Sequence, residues 1–167
     1  MNRDRTPLVE PRSAESETMR GWRAAAGPGL PRCPVRPSRP DVAAVRAWPS
    51  EPESVPAARR WLGETAGEWG LSVETGSSLA LIVSELVTNA VRHSHGRVVT
   101  VLVARTAGAI CLEVVDDGRW RHAVGVTDGL AEGGYGLEVV AACADRSGSE
   151  RTAAGTCTWA VLARPLT

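Results

Sequence analysis

Between Ser77 and Val115 the sequence changes its hydrophobic period, and this change limits the folds open to the chain. Leu79, Ile82, Val83, Leu86, Ala90 and Val91 recur at the three- and four-residue spacing of one helix face. They predict a helix from about Ser77 to His93, ended by Gly96. The next residues abandon that period. Arg97 to Arg105 is rich in valine, Thr106-Ala107-Gly108 is a turn, and Ala109 to Val115 is β-prone again. Two such runs around a glycine-containing turn predict an antiparallel hairpin.

Weaker signals extend the pattern on both sides. Val42 to Trp48 reads as a strand ended by Pro49. Ser54 is a plausible N-cap for a helix carrying Val55, Ala58, Trp61, Leu62, Ala66 and Trp69 at helical spacing, with Gly70 as its stop. A short helix is expected from Leu137 to about Ala144, and last strands at Asp145 to Ser149 and Thr156 to Ala163. Helices grouped against such a sheet give an α/β fold, a two-layer sandwich with a mixed, mostly antiparallel sheet and helices on one face.

The chain of 167 residues is long enough for one domain with additional sequence. Seven of the eleven prolines fall in residues 1–40, which show no sustained period and are expected to be a disordered basic Pro/Arg-rich tail; the ordered domain spans 41–167. Eight Arg against four acidic residues give the tail a charge of +4, and eleven Arg against fifteen acidic residues give the remainder −4. A net-acidic body argues against a specific nucleic-acid binder. Lysine is absent. That removes P-loop chemistry, the usual protein-kinase strand lysine and pyridoxal Schiff-base chemistry. Cys33, Cys111, Cys143 and Cys157 form no C-x-x-C pair, so neither a zinc site nor a disulfide framework is expected. With no apolar run of membrane-spanning length and no apolar stretch after the first residues, the expectation is a cytoplasmic protein without a membrane segment.

Three short segments carry the chemistry. Glu85 and Asn89 are four apart on the second helix and share a face. Together they could bind a hard cation through oxygen, or Glu85 could serve as a general base; a solvated pair is the plain alternative. Asp116-Asp117-Gly118 follows the apolar strand. A carboxylate there accepts hydrogen bonds, so it can read an exocyclic amine such as that of adenine, and Gly118 permits close approach; an ordinary Asp-Gly turn is the alternative. Gly133-Gly134-Tyr135-Gly136 precedes a helix. Exposed backbone N–H groups and the positive helix end suit phosphates without lysine, though a flexible loop would read the same. Thr156 either bonds a phosphate or an active-site Asp, or only opens a strand. His93 and His95 lack further ligands for a metal site.

The order of these segments resembles the ATP-binding domain of the GHKL superfamily, which includes gyrase, histidine kinases, heat-shock chaperone ATPases and mismatch-repair proteins. Glu85-Leu86-Val87-Thr88-Asn89-Ala90-Val91-Arg92-His93 looks like the N-box, Asp116-Asp117-Gly118 the first glycine box and Gly134-Tyr135-Gly136-Leu137 the second. Gly155-Thr156 is similar to the terminal Gly-Thr element. Within the superfamily, Val55-Pro56-Ala57-Ala58-Arg59-Arg60 and Leu81 to Val91 resemble small single-domain anti-sigma factors with serine/threonine kinase activity. The resemblance covers about residues 42–163 and implies the Bergerat ATP-binding fold.

It also implies roles. Asn89 binds magnesium, Glu85 is the general base, Asp116 reads adenine, and Gly118, Gly134, Gly136, Leu137 and Thr156 line the nucleotide site, with ATP and Mg2+ as cofactors. Arg119 to Glu132 forms a lid. Its Trp120 stands where the family often has a second glycine, and either covers the base or, the favoured reading, packs as an ordinary exposed lid aromatic. The implied partners are a sigma factor and a small STAS-like antagonist protein that is phosphorylated, and a homodimer is a further implication. The alternative function is a non-catalytic ATP-binding regulatory module that controls partner binding without phosphoryl transfer.

Overall fold

The helix expected from Ser77 begins one turn earlier. Ser72 is its N-cap and accepts a hydrogen bond from the Thr75 N–H at 3.2 Å, an arrangement that contributes about 1 kcal/mol. Glu74 in the first turn and Arg92 and His93 in the last complement the helix dipole. The computed structural model describes residues 36–37, 39–118, 135–152 and 155–163. Its elements run β1 (Val42–Pro49), α1 (Ser54–Glu68), α2 (Val73–His93), β2 (Val98–Thr106), β3 (Ala109–Asp116), α3 (Tyr135–Cys143), β4 (Arg146–Thr152) and β5 (Gly155–Ala163).

The sheet order is β1-β2-β3-β5-β4, and every described pair is antiparallel. The expected mixed sheet is corrected on this point. β3 and β4 are each antiparallel to β5, so those two strands run in the same direction. They are not neighbours, because β5 turns back and inserts between them, antiparallel to both.

Alternation along the strands divides the sheet into two faces. Val99, Val101 and Val103 of β2, Ile110, Leu112 and Val114 of β3, and Ala160 and Leu162 of β5 meet Leu62 of α1, Leu79, Ile82, Val83, Leu86 and Val87 of α2, and Val140 of α3. All three described helices therefore pack on one face. Each fully buried Leu or Ile contributes about 2 kcal/mol through lost apolar exposure. Trp61 of α1 meets Trp48 of β1 edge to face, with ring centroids 5.5 Å apart. The opposite face carries a smaller cluster of Ala43, Leu102, Ala104, Val115 and Cys157.

Two local readings are corrected. Ser54 is not the N-cap of α1: Glu53 holds that position without a side-chain bond, and the Ser54 hydroxyl donates to the Pro49 carbonyl at 2.6 Å. After α2 the left-handed turn residue is His95, with φ of 52°, rather than Gly96. Gly96 meets a different demand, because a Cβ there would lie 2.5 Å from Asp117 Oδ1 and 2.7 Å from the Gly118 nitrogen.

Candidate functional site

Glu85 and Asn89 stand one turn apart on α2, both half-buried, beside the stripe that meets the sheet. The first turn of α3 comes directly against them. A Cβ built on Gly136 would lie 2.5 Å from Glu85 Oε2 and 3.9 Å from Asn89 Nδ2. Only a hydrogen fits in that gap. The N-terminal turn of α3, with N–H groups that its own helix cannot satisfy, thus abuts the carboxylate and carboxamide of α2. Leu137 follows in the same turn and is 41% exposed.

The second group lies at the end of β3. Asp116 belongs to the helix-facing set of Ile110, Leu112 and Val114 and is 2% exposed. Its Oδ1 accepts the Gly118 N–H at 3.0 Å. Its cross-strand neighbours are Val99 on β2 and Thr156 on β5, and Thr156 is also 2% exposed. Two glycines make this corner possible. At Gly118 a Cβ would lie on the Ser94 carbonyl oxygen, 2.0 Å away. At Gly155, φ is 144° and a Cβ would lie 1.9 Å from the Asp116 carbonyl oxygen. Backbone occupies both spaces, so neither position admits a side chain without moving the main chain.

The two groups join through the end of α2. Ser94 touches Gly118, and Asn89 precedes Ser94 by five residues, about 7.5 Å along the helix axis. The structure therefore brings Glu85, Asn89 and Gly136 together, and Asp116, Gly118 and Thr156 together at the neighbouring corner. Gly134 and the expected lid Arg119 to Glu132, with Trp120, lie outside the described residues.

Asp117 has a distinct task that the sequence did not separate from that of Asp116. Its Oδ1 accepts the Val98 N–H at 2.9 Å and the Arg97 N–H at 2.7 Å, which ties the end of β3 to the start of β2. The Val98 hydrogen bond, opposed in part by burial and helped by the Arg97 bond, holds the Asp117 carboxyl below its ordinary value of 3.8. Adjacent strand residues face opposite sides, so only one acid of the pair can point to the helix layer. That parity was the available signal.

The donor set fits a magnesium-nucleotide. Asn89 and Glu85 offer hard oxygens, the Gly136 turn offers main-chain donors, and the buried Asp116 offers an acceptor. Among the described residues no group of three His, Cys, Asp or Glu side chains is placed to hold a metal without such a substrate.

The profile of the histidine kinase-like ATPase domain matches residues 48–162. The chain belongs to the histidine kinase-like ATPase domain family. Glu85, Asn89, Asp116, Gly136 and Thr156 all fall inside the span that carries the family pattern. Among 22 matching chains of solved structures is the crystal structure of the RsbU and RsbW domains of Rv1364c from Mycobacterium tuberculosis, with 21% identity and a TM-score of 0.59. The match covers 75% of this chain and 33% of that one, so this histidine kinase-like chain spans about a third of the length of the solved protein. No match was found among curated proteins. No helix among the described residues is long and apolar enough to cross a membrane.

Proposed function

We propose that the domain binds ATP with magnesium between α2 and the Asp116 corner and transfers the γ-phosphoryl group to a serine or threonine of a protein partner. The observation that carries this reading is the hydrogen-wide gap at Gly136, which seats a helix N-terminus on Glu85 and Asn89. Phosphoryl transfer needs chiefly positioning and charge stabilisation, and both are available there without lysine.

In the proposed step the partner's hydroxyl oxygen bonds to the γ-phosphorus. Its proton passes to the Glu85 carboxylate, the bond from the γ-phosphorus to the bridging oxygen breaks, and ADP leaves. Asn89 would hold magnesium, which supplies charge neutralisation on the phosphates when bound. The α3 N-terminus stabilises phosphate charge through its N–H groups, while Asp116 accepts a hydrogen bond from the adenine amine. The likeness in fold to a structure containing an RsbW domain, together with the Leu81 to Val91 resemblance, supports an anti-sigma factor acting on a small STAS-like antagonist and a sigma factor in the cytoplasm.

Two measurements test the reading. ATP is titrated with and without magnesium, and the chain is incubated with labelled ATP and a candidate antagonist. Binding that requires magnesium, with label on the antagonist, is the expected result. Glu85→Ala should keep ATP binding and slow transfer by about 100-fold or more. Equal loss of both refutes the base assignment. Tight ATP binding with no label transferred would favour the non-catalytic regulatory module.

A further inference from the structure

β3 buries a second acid, away from the nucleotide corner. Glu113 is on the face opposite the helices, 0% exposed, with Leu102 and Trp159 as cross-strand neighbours. Its carboxylate accepts the Arg36 Nε–H at 3.0 and 2.9 Å on its two oxygens, and Oε2 also accepts from Nη2. The Arg36 side chain is 6% exposed. Arg36 precedes β1 and lies 77 residues from Glu113 in sequence, within the stretch of +4 charge.

Most apolar residues of this face are buried as tightly as those on the helix side, while Val45 and Trp159 are partly buried. Leu102, Ala104 and Cys157 are 0% exposed, Val115 2%, and Ala43 and Cys111 5%. Yet α1, α2 and α3 all pack on the other face. A single sheet covered on one side leaves its second side to water unless another layer closes it. Among the described residues, Arg36 reaches the centre of this face from outside the sheet.

We propose that the outer face is an intramolecular docking site for the chain's own N-terminal segment, anchored by Arg36 on Glu113. The charges agree: a basic segment meets the acid of the face in a fork of charge-assisted hydrogen bonds. A carboxylate in the middle of an apolar sheet is tolerated because it is paired. The pairing gives the segment one register on the sheet and closes the face to a second molecule while the anchor is in place. The inference is independent of the reading of the nucleotide site.

Cys111 and Cys157 lie on the sealed face and serve as reporters. The full chain carrying Cys33→Ser and Cys143→Ser is treated with a maleimide, and modification is followed by mass. Slow labelling is expected, unchanged by dilution. Arg36→Ala should speed labelling by about tenfold or more while circular dichroism remains that of the parent. Labelling as slow as in the parent overturns the proposal, and so does protection in the parent that fades on dilution, because a second copy would then be the cover. If Arg36→Ala does not fold, Arg36→Lys decides. The chain has no lysine, so the introduced ε-amine is the sole side-chain amine available to a zero-length carbodiimide. A 36–113 link within one chain supports the proposal; no link, or one between two chains, overturns it.

Discussion

Asp116 and Glu113 are acids of one strand, three residues apart and almost wholly buried, but their surroundings are opposite. Asp116 faces the helices and takes the Gly118 N–H, beside Thr156 and near the end of α2. Glu113 faces away and is engaged by the Arg36 guanidinium. The odd separation puts them on opposite faces. Burial alone therefore says little about what an acid does. The one beside the Gly118 N–H and Thr156 stands at the candidate site, whereas the one held by a guanidinium in a fork is committed to structure.

Exchanging the two effects would break this comparison. Glu113→Ala strands a guanidinium against an apolar face and should lower folding stability by about 3 kcal/mol in urea denaturation. Its ATP-over-GTP preference, measured on the folded protein, should match that of the parent. Asp116→Asn should do the reverse. Stability changes little, because the amide can still accept from Gly118, but the preference for ATP over GTP falls about tenfold in competitive titration. An unchanged preference removes Asp116 from adenine recognition.

A smaller effect sharpens the comparison at Asp117, the exposed neighbour. Its carboxyl titrates below 3.8 in the folded chain, so its stabilisation is present above that value and lost as pH falls through the lower folded value. Asp117→Asn should therefore make the melting temperature fall less steeply between about pH 5 and pH 2. A slope identical to the parent's removes its carboxylate from the acid response.

The sequence made the helix layer and the hairpin readable because their apolar periods are long and regular, as from Leu79 to Val91 and from Ile110 to Val115. It made Glu85, Asn89, Asp116 and Gly136 readable as candidates because helical spacing and glycines at a helix start have direct physical meaning. Other features need three-dimensional information. Ser54 precedes a helix as a cap would, but its hydroxyl turns to Pro49. The neighbourhood of Asp116 and Thr156 depends on β5 inserting between β3 and β4. Glu113 sits in an otherwise apolar run, and its partner lies 77 residues away, beyond any local pattern.

The glycines of the site differ in what confronts them. At Gly118 and Gly155 the obstacle is main chain, so adding even one carbon would force the scaffold itself to yield. At Gly136 the nearest atom is the tip of the movable Glu85 side chain. A single methyl group at that spot could swing the carboxylate aside while the fold stays as it is. If Glu85 has the role proposed for it, one carbon at Gly136 separates the geometry of the site from the folding of the domain.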